Sequence, residues 1–136
     1  MSGKTKYLVD GQVLKVRLEG NFTADEFLEL INRAFDSPNM PEKVAVLIDA
    51  CCSNVDLDQE DYQRIIDTFF SLADRILCFS CITLSDKITD IIQQAAIYAE
   101  YNALGSVKPF PDKESAEKWI DEQRKKSIVL FLKPAK

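Results

Sequence analysis

The feature that most constrains this chain is an unbroken apolar run, Val44-Ala-Val-Leu-Ile48, set between two stretches of helical periodicity. Five apolar residues with no polar alternation read as a strand buried on both faces, the kind found in parallel sheets. The run ends abruptly in Asp49-Ala-Cys-Cys-Ser-Asn-Val-Asp56, and a strongly periodic segment with Tyr62, Ile65, Ile66, Phe69, Phe70 and Ala73 follows. That three-and-four spacing is the apolar stripe of an amphipathic helix. Sites in open α/β sheets lie at the carboxyl ends of such strands, so residues 49–56 are where a working loop is expected.

The same reading extends along the chain. Leu14, Val16 and Leu18 alternate with Lys15, Arg17 and Glu19, the period-two pattern of a strand with one wet face, and Gly11 separates it from an earlier strand at residues 7–10. Thr23 with Glu26 three positions later predicts a capping box, and Phe22 and Phe27 flank it as a hydrophobic staple. The helix that follows carries Phe27, Leu28, Ile31, Ala34 and Phe35 inward, and the prolines at 38 and 41 end it. Residues 76–84 form a second apolar strand; Ser85 or Asp86 caps a helix whose inner face is Ile88, Ile91, Ile92, Ala95 and Ala99. Residues 106–110 make a short strand, and Asp112 caps a last helix with Ala116, Trp119 and Ile120. The order predicts an α/β fold: a mixed, mostly parallel sheet of about five strands with four helices.

With 136 residues, residues 1–126 are expected to form one domain. Residues 127–136 stand apart: a basic cluster leads into Ile128-Val-Leu-Phe-Leu132, which reads as an added edge strand or as a contact for a partner, including a second copy of the chain. The net charge of −5 argues against nucleic acid and against an anionic membrane surface. No leader pattern opens the chain and no apolar run is long enough to span a bilayer, so membrane insertion is not expected and a cytoplasmic location is.

There is no histidine, which removes the commonest general base and the commonest neutral metal ligand. Cys78 and Cys81 have the spacing of a half-site for zinc or redox work. Their odd separation within a strand puts the thiols on opposite faces, so core packing is the expectation, with no metal and no cofactor. The glycines, Gly3, Gly11, Gly20 and Gly105, form no phosphate-cradling loop. Asp56, Asp58, Glu60 and Asp61 precede a helix, where acids complement the macrodipole.

Four segments, Leu18-Glu-Gly-Asn-Phe-Thr-Ala-Asp-Glu-Phe27, Val44 to Asp49, Leu84-Ser-Asp-Lys87 and Phe110-Pro-Asp-Lys-Glu-Ser-Ala-Glu-Lys-Trp-Ile120, resemble in their order the SpoIIAA-like proteins, relatives of the sulfate-transporter and anti-sigma-factor-antagonist (STAS) domains. The resemblance implies a non-enzymatic regulatory or binding domain, acting on a protein partner or small ligand at the loops after the central strands. The residues so implicated are Asp49, Ser53, Asn54, Asp56, Ser85 and Asp86. In the antagonists a phosphorylatable serine lies in an Asp-Ser-Ser-Gly turn; here Ser53 is out of register and no glycine follows, which departs from that switch. Two alternatives stand beside this reading. One is a small-molecule or lipid pocket between helices and sheet. The other is a receiver-like phospho-acceptor at Asp49, which lacks the acidic pair expected after the first strand.

Overall fold

The structure is a computed structural model that describes residues 4–54, 57–102 and 104–132, with side chains described for residues 6–51, 57–102 and 104–126. The first elements are β1 (Lys4–Asp10), β2 (Val13–Asn21), α1 (Ala24–Asp36), β3 (Val44–Asn54) and α2 (Gln59–Ser71). A single 3-10 turn at Ala73–Arg75 leads into β4 (Ile76–Ile82), α3 (Asp86–Tyr101), β5 (Ser106–Phe110) and α4 (Lys113–Leu132). The five strands lie side by side in chain order, with β1 antiparallel to β2 and the rest parallel. Gly11, at φ 61, supplies the left-handed residue of the two-residue hairpin between β1 and β2.

Strand order explains the layering. Each crossover from β2 through β5 steps one place in the same direction, and right-handed crossovers then put α1, α2 and α3 on one face. Only α4, which follows the last strand, covers the other. Two separate cores result. On the three-helix face Val16, Leu18, Val46, Ile48 and Cys81 pack with α1 residues such as Phe27 and Ile31. On the α4 face Ala45, Leu47, Cys78 and Ile82 pack with Phe110, Ala116 and Ile120. Cys78 and Cys81 therefore face opposite ways, as their spacing requires.

The start of α1 follows its sequence signals. Glu26 N–H donates to Thr23 Oγ1 and Thr23 N–H donates to Glu26 Oε1, both at 3.1 Å, while the rings of Phe22 and Phe27 lie 6.0 Å apart. Leu30 joins the buried face, and Leu28 is only half-buried. Arg75 fixes the far end of that layer. Its guanidinium donates to the Phe35 carbonyl at 2.9 Å and to the Pro41 and Glu42 carbonyls at 3.4 Å, and it lies over the Phe35 ring.

Two expectations are corrected. Residues 127–132 do not form an edge strand: α4 continues through them to Leu132. The run Glu122-Gln-Arg-Lys-Lys126 favours helix, and no glycine or proline interrupts the chain before Pro134, so the helix propagates into the apolar residues. Residues 133–136 lie outside the described residues. Nor does β3 end at Asp49; it runs on to Asn54, with Cys52, Ser53 and Asn54 in register with Glu19, Gly20 and Asn21 of β2. The register shifts between Arg17 and Glu19, so β3 carries one extra residue there. Asp49 Oδ1 accepts the Cys51 N–H at 3.1 Å beside this bulge.

Candidate functional site

The residues expected to make a loop site are dispersed. Asp49 lies inside β3, opposite Arg17 of β2 and Ile82 of β4, and lines a shallow basin on the α4 face with Lys6, Lys15, Arg17 and Lys113. That basin is charge-balanced: Lys15 pairs with Asp10 (3.3 Å) and Glu117 (3.9 Å), Arg17 with Glu19 (2.9 Å) and Lys113 with Glu117 (3.8 Å). Ser53 and Asn54 lie in the final residues of β3, their side chains outside the described residues; Asp56 is wholly outside them. Ser85 is the N-cap of α3, its Oγ accepting the Ile88 N–H at 3.3 Å, and exposed Asp86 opens the helix. Among the described residues no hydrogen bond or ion pair joins Asp49 to Ser85 or Asp86. Nor do the described residues gather three or more His, Cys, Asp or Glu as metal ligands.

What the fold does build is an apolar cleft between α2, α3 and the sheet, with a volume of about 120 Å³ and no charged residue in its lining. It arises because two amphipathic helices face the sheet without closing on it. Along α2 only Phe69 is buried, and Tyr62, Ile65, Ile66 and Phe70 are half-buried. Along α3 only Ile88 and Ala99 are buried, and Ile91, Ile92 and Ala95 are half-buried. Small side chains leave the space unfilled: Ala50 and Cys81 in the floor, Ala73 and Ala95 in the walls. These helix positions are legible in the sequence as inner-face residues; what periodicity does not show is that their neighbours stop short of filling the layer.

Aromatic contacts frame the cleft. Phe27 and Phe69 rings lie 6.1 Å apart and Phe69 and Phe79 rings 4.8 Å apart, closing the side toward α1. At its upper end Lys87 joins the two helices' entrances, donating to the Leu57 carbonyl at 3.3 Å with its ammonium 5.5 Å from the centre of the Tyr62 ring. At the lower end Phe70 of α2 and Tyr98 of α3 pack ring to ring at 4.8 Å. Burial pushes the Cys81 thiol in the floor up to about 12, with nearby Cys51 and Asp49 adding to the effect. A thiol held that high carries no thiolate at neutral pH and is not a nucleophile. Cys78 beneath α4 is also pushed up to about 12 by burial, against the opposing pull of Arg124.

This architecture is the SpoIIAA-like fold, an α/β fold with a five-stranded mixed sheet. The chain is similar to an uncharacterized protein of the DUF3478 family from Shewanella loihica, whose crystal structure has that fold: the TM-score is 0.60 at 15% identity, covering 87% of this chain and 93% of that one. No family model matches the sequence, and no curated protein matches it. No helix among the described residues is long and apolar enough to cross a membrane.

Proposed function

We propose that this protein is a non-enzymatic binding domain that holds a small apolar molecule in the cleft between α2, α3 and the sheet. The observation that carries this reading is the lining: an apolar space of about 120 Å³ with no charged residue and half-buried isoleucines on both walls. Apolar cavities of about 150 Å³ in proteins stay dry and take up ligands the size of benzene. Ligand pockets in general are concave and mostly apolar, with few polar groups. The ligand class is therefore an aromatic ring or a short hydrocarbon chain, held by burial rather than by ionic anchoring.

The rim relates this reading to the loops singled out from the sequence. Leu57, just after the end of β3, and Ile88, in the first turn of α3, both line the cleft, and Lys87 bridges them. Leu57 and the first turn of α3 around residues 85–88 thus border the entrance, where a bound ligand alters what a partner meets.

The test uses the purified chain and the apolar probe toluene, a single aromatic ring of the size the cleft admits, with uptake followed by calorimetry. Saturable uptake at one site, reduced at least tenfold by Ala95→Phe, is expected, and organic extraction of freshly purified protein should release an apolar compound. An empty extract together with probe uptake that neither saturates nor responds to Ala95→Phe would sink the reading. Circular dichroism on the variant establishes that it remains folded.

A further inference from the structure

The sheet ends on one side at β1, and among the described residues no strand lies beyond it. The outer row of backbone N–H and C=O groups of an edge strand is a template for a further strand, which natural sheets block with prolines, bulges or a covering element. Here β1 pairs with β2 without a break from Lys4↔Glu19 to Asp10↔Val13, and neither a bulge nor a proline interrupts it. Its side chains alternate. Tyr7 and Val9 pack half-buried against the three-helix core, whereas Lys6, Leu8 and Asp10 lie exposed on the opposite face. On that face α4 packs over β3, β4 and β5 and leaves β1 uncovered, so that Leu8 is 62% exposed.

On either side of Leu8 the strand is complementary to its own reverse. Lys6 and Asp10 stand two places away and carry opposite charges; Tyr7 and Val9 stand one place away. In an antiparallel pairing of two copies centred on Leu8, Lys6 faces Asp10 of the partner subunit, Tyr7 faces Val9 of the partner subunit, and the two leucines face each other. Each is a favourable cross-strand pair: opposite charges, an aromatic with a β-branched side chain, and two apolar groups. The charges of the single chain suit this register. Lys6 forms no ion pair among the described residues, and its neighbour in β2 is Arg17, a like charge. Asp10 pairs with Lys15 at 3.3 Å yet keeps 66% of its side chain exposed, so it can accept from a second ammonium. Centring the pair on Tyr7 instead would set Lys6 against Leu8, so charge selects the Leu8 register.

We propose that two copies of the chain pair through β1, antiparallel about a two-fold axis at Leu8, and join their five-stranded sheets into one. The interface is isologous, so each contact occurs twice. The axis stands perpendicular to the sheet, which keeps the α1 helices of both copies on one face and both α4 helices, away over β3 to β5, on the other. Tyr7 and Leu28, both half-buried, line a broad groove beside α1, and each copy turns that groove toward its mate. Because β2 separates β1 from the rest of the sheet, the inference is independent of what the cleft holds.

The test is sedimentation equilibrium of the intact chain from micromolar to millimolar concentration, where a monomer–dimer equilibrium is expected. Lys6→Asp and Asp10→Lys should each weaken self-association on the order of 30-fold, since both symmetry-related contacts turn repulsive. An equimolar mixture of the two variants should associate as the parent does, because each contact again joins opposite charges. Leu8→Cys should give, under mild oxidation, a disulfide between the two introduced thiols, found by mass mapping; directly opposed residues of an antiparallel pair have Cα atoms about 4.5–5.5 Å apart, within disulfide reach. Circular dichroism establishes that the variants remain folded. A monomer at every concentration would overturn the proposal without reliance on any variant, whatever other strand β1 accepts. So would a dimer indifferent to both charge substitutions, a mixture that associates no better than either variant alone, or a disulfide in the Leu8→Cys chain that joins only native cysteines.

Discussion

Helices α1 and α2 have equal length, both open with a capping box and both lie on the same face of one sheet, yet they pack differently. Thirteen residues of α1 bury six side chains, while thirteen of α2 bury one. The difference is in what lies opposite. Phe27, Ile31 and Phe35 of α1 meet large strand residues over β2 and β3, and Arg75 ties the end of the layer to three backbone carbonyls. Opposite α2 and α3 the floor narrows to Ala50 and Cys81, and α3 offers Ala95 where a larger side chain would fill the gap. One layer thus contains a closed core and an open one. Stability is concentrated in the first, and the unfilled space that the proposed ligand would occupy in the second.

The largest expected contrast is in mutational cost. Leu30→Ala and Ile31→Ala should each destabilise the protein by about 3–4 kcal/mol, because full-size cavities open in a closed core. Ile66→Ala or Ile92→Ala should cost only about 1 kcal/mol, since those side chains are half-exposed already. Urea unfolding measures both sets. Equal losses would mean that α2 and α3 are packed as tightly as α1.

Per pH unit, the next effect in size is an alkaline one. Burial holds the thiols of Cys78 and Cys81 protonated up to about 12, against an ordinary value of 9.0. Between these values the unfolded chain has released protons that the folded one retains, so stability must fall as pH rises from about 9 to 12. The slope is on the order of 1 kcal/mol per pH unit for each thiol. Replacing both cysteines by alanine should flatten that part of the profile relative to the parent chain.

The two cysteines also report on the two faces. Exposed Cys51 should react with a thiol reagent at once. Of the buried pair, Cys81 in the floor of the open layer should react before Cys78 under α4, because loosely packed elements open locally at lower free energy. Mass mapping of a labelling time course would show the order; simultaneous reaction would mean that only global unfolding exposes either. The smallest effect expected is a gain: Ala95→Leu should add about 1 kcal/mol of stability by filling the cleft, at the expense of probe uptake.

Much of the fold is legible in local chemistry. The box at Thr23 and Glu26, the staple of Phe22 and Phe27, and the caps at Ser85 and Asp112 involve groups three to five positions apart, so the sequence contains both partners. Alternation at Leu14, Val16 and Leu18 likewise names its own buried face. What was not legible depends on distant neighbours. Ser53 and Asn54 look like turn residues, yet β2 extends to Asn21 and pairs with them after the bulge. The run at 128–132 has strand composition, but the helix before it contains nothing to stop it. The cleft was the least legible feature, because periodicity reveals an apolar face and not whether that face is filled. Only the alternative of a pocket between helices and sheet pointed there.

The central claim is that the half-closed layer under α2 and α3 binds an apolar ligand, and isoleucine methyl resonances test it most directly. Titration with toluene should shift the methyls of Ile65, Ile66, Ile88, Ile91 and Ile92, which line the cleft, and leave Ile82 and Ile120 under α4 unmoved. Unchanged cleft methyls at saturating probe, or shifts confined to Ile82 and Ile120, would contradict the account.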